Sequence, residues 1–188
     1  MKKLALGLVL LLLLGATHLA AAYSLQISPA SQTVFQNDHA LIDVNVSGVS
    51  GIGSYEITLL FDPLIFAAPT VTFGSQLGNP TDSFTNVIMA LGSVNVAEVS
   101  FLPDLTFQPA NFTLFTLDFL ATGIGTSNIV LDIINIGNAN GDEIPGAVPS
   151  GGEITVEAGQ VVVPEPGTLL LLGTGLAGLV AWRRKFRI

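Results

Sequence analysis

Ala40-Leu41-Ile42-Asp43-Val44-Asn45-Val46 is the stretch on which the fold turns. Ile42, Val44 and Val46 face one way while Asp43 and Asn45 face the other, a period of two that belongs to a half-buried strand and not to a helix. The same texture runs outward in both directions. Short apolar, β-branched or aromatic runs occur at residues 25–27, 33–35, 54–61, 70–73, 87–91, 93–101, 111–121, 128–136 and 152–156. In 93–101 the alternation reads as Val94, Val96 and Val99 on one side with Asn95 and Glu98 on the other. Between the runs lie turn residues: Gly48 to Gly53, Asp62-Pro63, and Asn138-Ala139-Asn140-Gly141-Asp142. Nine or ten short strands so punctuated predict an all-β, antiparallel β-sandwich with no long helix inside it. There is no internal repeat, so one module is expected.

The two ends of the chain read differently. Lys2 and Lys3 precede an apolar run over 4–14 and an Ala20-Ala21-Ala22 site, the order of a secretory signal peptide with Tyr23 as first mature residue. Cleavage after Ala20 is the near alternative to cleavage after Ala22. At the far end, Pro164-Glu165-Pro166 precedes an apolar segment, 168–182, and a basic cluster of Arg183, Arg184, Lys185 and Arg187. The prolines keep the motif extended where an enzyme can grip it. The apolar run partitions into lipid, and the cations hold it at the cytoplasmic side. At roughly 15 residues the run is shorter than the roughly 20 that span a bilayer, a gap that snorkelling arginines can close. This tripartite tail resembles the PEP-CTERM sorting signal. That resemblance implies export in a Gram-negative bacterium, transient residence of a C-terminal transmembrane helix in the inner membrane, and removal by an exosortase-type processing enzyme. An ordinary single-pass anchor that is never cut is the alternative. The expected organisation is therefore a signal peptide at 1–22, a sandwich at 23–156, a linker at 157–163 and a sorting signal at 164–188.

Setting the ends aside changes the charge picture. All six Lys and Arg residues lie in them, so 23–163 contains none, while it holds 13 of the 14 acids and a single histidine, His39. Trypsin should therefore leave that segment whole even when it is unfolded; a tryptic ladder from the processed protein, read by mass spectrometry, would show these boundaries to be wrong. A polyanion without counter-charges does not bind phosphate backbones, which excludes nucleic acid, or anionic lipid surfaces. It does attract divalent cations. With no cysteine in the chain, stability must come from burial alone.

Most catalytic chemistries lose their residues by the same count. A nucleophilic triad needs a base, and His39 stands in the turn Asn37-Asp38-His39, where a solvated turn residue is expected. Zinc lacks a ligand set, and no Gly-rich loop opens a helix to hold a dinucleotide. A glycosidase would need two buried carboxylates, whereas the acids read as turn or outward positions. No catalytic residue and no cofactor is expected. Asn138, Asn140 and Asp142 have the flavour of a Ca²⁺ loop but lack the first aspartate and distal glutamate of an EF-hand, so a hairpin turn is the preferred reading. The one tryptophan, Trp182, belongs to the tail, so no aromatic platform for a crystalline polysaccharide is visible.

Ser54-Tyr55-Glu56-Ile57-Thr58-Leu59-Leu60-Phe61-Asp62-Pro63, followed by Leu64-Ile65-Phe66 and Val71-Thr72-Phe73-Gly74, resembles the cohesin signature of an alternating strand ending in an aromatic-Asp-Pro turn. Leu114 to Ala121 resembles the long apolar strand of that family, and Asn138 to Pro145 with Gly152 to Val156 its closing hairpin and last strand. The resemblance implies a jelly-roll sandwich of about nine strands that binds a dockerin, a small Ca²⁺-loaded helical module, through one sheet face. Together these readings describe a non-catalytic exported binding or adhesion module of the cell surface or exopolysaccharide matrix, its partner a dockerin-like protein or an extracellular polysaccharide. A structural acidic matrix protein associating with Ca²⁺ and exopolysaccharide is the alternative. An apolar patch on one sheet face would favour the first, uniformly acidic faces the second.

Overall fold

The computed structural model describes residues 22–159 and 166–185. Eleven strands and a helix follow in chain order: β1 (Tyr23–Ser28), β2 (Ser31–Phe35), β3 (His39–Ser47), β4 (Ile52–Leu60), β5 (Thr70–Phe73), β6 (Ser83–Ala90), β7 (Ser93–Ser100), β8 (Asn111–Leu120), β9 (Gly125–Asn138), β10 (Ala147–Ser150), β11 (Gly152–Glu157) and α1 (Pro166–Lys185). All ten strands expected from sequence are present. The extra one, β10, carries Pro149, which argues against a strand; it is tolerated because β10 is an edge, where a missing N–H breaks no ladder on the open side.

The strands form two sheets, ordered β10-β1-β3-β8-β5 and β2-β11-β9-β4-β7-β6. All pairings are antiparallel except the two that tie the chain ends of the sandwich together, β1 with β10 and β2 with β11. Pro29 interrupts what would be one long first strand, and the chain crosses there from the first sheet to the second. The inward residues of both sheets meet in one core. Ile42, Val44 and Val46 are buried as the alternation predicts, facing Ile57, Leu59, Val94 and Val96 from the other sheet. Tyr55 stacks on Phe115 across the layers, with ring centroids 5.7 Å apart.

The Asp62-Pro63 corner is built from its own side chains. Asp62 Oδ1 accepts the N–H of Leu64 at 2.8 Å, and its carbonyl accepts those of Ile65 and Phe66 at 3.1 and 3.0 Å. The turn delivers Phe66 to the core, where its ring meets Phe119 at 5.3 Å while Phe61, just before the turn, meets Phe119 edge-on at 5.1 Å.

One expectation is corrected. Glu98 does not face outward with Asn95: it shares the inward side of β7 with Val94 and Val96 and is 1% exposed, while Val99 faces out. The β7 ladder to β4 runs from Ser93 to Val99 without a bulge, so strict alternation places residues 94, 96 and 98 on one side.

The C-terminal unit is α1. Pro166, the last residue of the Pro-Glu-Pro motif, opens it, a position where the missing N–H would have had no helical partner. The expected apolar segment 168–182 is helical throughout, but no helix among the described residues is long and apolar enough to cross a membrane. Gly167, Thr168, Gly173, Thr174, Gly175 and Gly178 dilute its leucines. The signal peptide with Ala20, the motif residues Pro164 and Glu165, and Arg187 lie outside the described residues. Ala22 precedes β1, and Arg183, Arg184 and Lys185 form the last turn of α1.

Candidate interaction face

The outer surfaces of the two sheets differ in kind. On the five-stranded sheet, polar residues facing each other across β3 and β8 are bonded to one another, while Leu41, Leu120 and Val148 are exposed around them. Ser47 donates to Asn111 Oδ1 at 2.5 Å, Thr113 to Asn45 Oδ1 at 2.6 Å, and Thr116 to Asp43 Oδ1 at 2.6 Å. His39 Nδ1 lies 2.7 Å from Asp118 Oδ1, at an exposed corner of this face. Such a surface has spent its directional capacity within the sheet, so covering it gains a partner little.

The outer face of the six-stranded sheet interleaves exposed apolar side chains with polar ones. Phe84 on β6 pairs with Val99 on β7, Val99 with Ser54 on β4, and Ser54 with Gly137 on β9. Two rows on, Ile88 is opposite Asn95 and Asn95 opposite Thr58; at the far end Ser93 is opposite Leu60, and Leu60 opposite Val130. Phe84 is 62% and Ile88 57% exposed, and Val99, Leu60 and Val130 are exposed as well. The polar group in their midst is ordered: Asn95 Nδ2 donates to Thr58 Oγ1 at 2.8 Å and to Glu56 Oε1 at 3.2 Å. Beside it a shallow hollow of about 320 Å³ is lined by Glu56, Ala97, Val99, Asn135 and Gly137. Gly137 lets the Ser54 side chain come close at its edge; a Cβ there would stand 2.5 Å from Ser54 Oγ.

Beneath this face, on the inward side of β7, Glu98 accepts the Tyr55 hydroxyl at 3.0 Å through Oε2, while Oε1 has no hydrogen-bond partner. Burial pushes the Glu98 carboxyl above its ordinary value, against the opposing pull of the Ser83 and Tyr55 hydroxyls. Burial, then the Glu98 charge, raises Tyr55 as well. A carboxyl raised on folding stabilises the native state fully below its unfolded value, and that contribution is lost as pH rises through the folded value. Stability should therefore fall as pH climbs above the ordinary glutamate value of 4.5. Glu98→Gln should remove this part of the slope, as read from urea midpoints of both proteins between about pH 4 and 8; parallel profiles would contradict it. Glu98 is the one buried carboxylate among the described residues.

The Asn138 side-chain oxygen in the 138–142 loop is turned to the backbone. Asn138 Oδ1 accepts the N–H of Asn140 at 2.8 Å and of Asp142 at 3.0 Å, and its Nδ2 reaches Asp142 Oδ2 at 3.3 Å. Asn140 and Asp142 thus stand in an Asn-capped turn, and no group of three or more His, Cys, Asp or Glu side chains able to hold a metal occurs among the described residues. Neither the apolar face nor the inward side of Glu98 is among the expectations drawn from sequence. The first needed the strand partners, and the second needed only stricter counting along β7.

Residues 162–185 match the PEP-CTERM protein-sorting motif. No curated protein sequence matches the chain. Among solved structures, the sixth cohesin of Acetivibrio cellulolyticus scaffoldin B, solved in complex with a Cel5 dockerin, is similar with a TM-score of 0.61 at 17% identity, over 73% of this chain and 100% of that one. The seventh ScaB type I cohesin of Pseudobacteroides cellulosolvens gives 0.61 at 15% identity, over 76% and 96%. A non-cellulosomal cohesin from the archaeon Archaeoglobus fulgidus gives 0.60 at 16% identity, over 73% and 93%. The chain thus joins a sandwich similar in fold to cohesins to a PEP-CTERM sorting motif.

Proposed function

We propose that this protein is a non-catalytic, exported binding module whose sandwich docks a protein partner on the outer face of the six-stranded sheet. The observation that carries the reading is the contrast between the two faces: one is centred on a self-bonded polar ladder across β3 and β8, the other exposes Phe84, Ile88, Val99, Leu60 and Val130 around the ordered Asn95–Glu56 pair. Removing that apolar surface from water stabilises a complex by about 25 cal/mol per Å² before ordering costs. With no Lys or Arg in 23–163, the matching partner surface is apolar at its centre and basic at its rim. A dockerin-like module fits this role, since cohesins of the same fold have been solved with dockerins bound.

In this reading the segment 164–188 is the address. An exosortase-type enzyme grips Pro164-Glu165-Pro166 while the leucines of α1 lodge in the inner membrane and Arg183, Arg184, Lys185 and Arg187 stay at its cytoplasmic side. Cleavage then releases the sandwich to the cell surface or extracellular matrix of a Gram-negative host. The alternative, an acidic matrix protein gelled by Ca²⁺ and exopolysaccharide, calls for uniformly acidic faces, which the apolar sheet does not provide.

Capture from the host's secreted fraction on the immobilised mature chain tests the proposal, with elution by EDTA. A discrete protein held by the wild type and released by a variant bearing acidic residues at Phe84 and Ile88 supports it. A protein held equally by both, or glycan alone, moves the function away from this face.

A further inference from the structure

A second site lies on the other side of β7, independent of the docking face. Edge strands β5 and β6 and the loop between them enclose a cleft of about 410 Å³, lined by Val71, Phe73, Asn79, Ser83, Thr85 and Glu98 among others. Thr85 and Tyr55 flank Glu98 as its direct strand partners, so all three project into the sandwich at this edge. Glu98 is 1% exposed, and its Oε1 makes no hydrogen bond of good geometry, although the Ser83 hydroxyl is close enough to pull on the carboxyl. The nearby Ser83 hydroxyl is turned to the Asn79 carbonyl, at 3.3 Å. Leaving such an atom unsatisfied is costly, so a native fold that keeps one at the floor of a cleft invites a ligand group to complete it.

We propose that this cleft binds a neutral sugar ring, one of whose hydroxyls bonds to Glu98 Oε1. Three observations select that chemistry. A hydroxyl both donates and accepts, so it serves the carboxyl whether ionised or neutral, and burial favours the neutral form here. The walls alternate hydroxyl or amide groups (Asn79, Ser83, Thr85) with the apolar Val71 and Phe73, which matches the mixed polar and C–H surface of a pyranose. A divalent cation would meet a single carboxylate, too little charge and too few hard ligands for six- to eight-fold coordination. The site gives an exported matrix module a hold on glycan that is separate from its protein contact.

The test is saturation-transfer NMR on the full mature chain with neutral methyl glycosides of common hexoses and N-acetylhexosamines. Parallel titrations use n-butylamine and CaCl₂. At least one glycoside should receive transfer, and Glu98→Leu should weaken its binding about tenfold or more, as loss of one hydrogen bond to a carboxyl group implies. Thr85→Val, which keeps the shape and removes one hydroxyl, should weaken it too, and decides the matter if Glu98→Leu does not fold. No transfer to any glycoside, unchanged binding in the folded variants, or binding of the amine or Ca²⁺ alone would each overturn the proposal. A Phe84 and Ile88 double variant should bind the glycoside normally, which keeps failure of this site distinct from failure of the docking face.

Discussion

Phe119→Ala is expected to lower the unfolding free energy of the sandwich by about 3–5 kcal/mol, the cost of emptying a phenylalanine site in a close-packed core. Phe119 is fully buried on β8, and its ring is the meeting point of Phe61 and Phe66, which flank the Asp62-Pro63 corner. The cavity would therefore loosen both the contact between sheets and the turn that carries the chain out of β4. Relaxation is limited, because the Phe66 N–H is bonded to the Asp62 carbonyl and the Phe61 N–H to the Gly92 carbonyl. The chain has no cysteine, so no disulfide limits the loss. A domain of this size has only about 5–15 kcal/mol in hand, so the variant should lose a large fraction of its margin. Urea denaturation of both proteins reads the effect as a shift in midpoint at unchanged slope. A shift equivalent to less than about 1 kcal/mol would mean that the aromatic cluster is not the keystone of this end of the core.

The second large effect concerns binding. Phe84→Glu combined with Ile88→Glu should reduce affinity for the captured protein partner by about 100-fold or more, since each central apolar anchor of an interface typically contributes about 2 kcal/mol. The change sets two carboxylates on a sheet that already carries Glu56, with no Lys or Arg in the sandwich to offset them. Both side chains are exposed in the free protein, so folding should shift by no more than about 0.5 kcal/mol and the loss is read as binding. Leu41→Glu is the control. Leu41 is also exposed, but it stands on the polar five-stranded face, and its replacement should leave affinity within about twofold of the wild type. Surface plasmon resonance with the partner in solution separates the two faces. Equal losses from both would place the contact elsewhere.

Several features of this molecule are present in single strands and their immediate flanks, and these could be read without coordinates. The alternation in 40–46, the Asp62-Pro63 stop and the tripartite tail are local, because side-chain direction along a strand and the φ restriction of proline depend on neighbours in the chain. Local pattern also specified that 23–163 has no cation, and hence what it does not bind. Glu98 belongs in principle to this group: counting strictly from Val94 and Val96 places it inward, and it was obscured because a charged residue argues for the surface by default.

The rest depended on which strands became neighbours. β10 was hidden by Pro149 and exists only because β1 offers it an edge. Gln108, in an irregular segment with no pattern of its own, is recruited by the buried start of β4: its Oε1 accepts the Ile52 N–H at 2.7 Å and its Nε2 donates to the Ile52 carbonyl at 3.1 Å, standing in for a strand partner on that side. The apolar face needs the register that sets Phe84 beside Val99 and Leu60 beside Val130, residues up to 70 positions apart, and the cleft needs β5 and β6 to close the same side of the sandwich. Sequence by itself therefore determined the class of fold, the charge and the address, since each is written in local order. Where the proposed docking face and the proposed sugar cleft lie was decided by tertiary structure alone, because a surface is made of residues that only pairing between distant strands brings together.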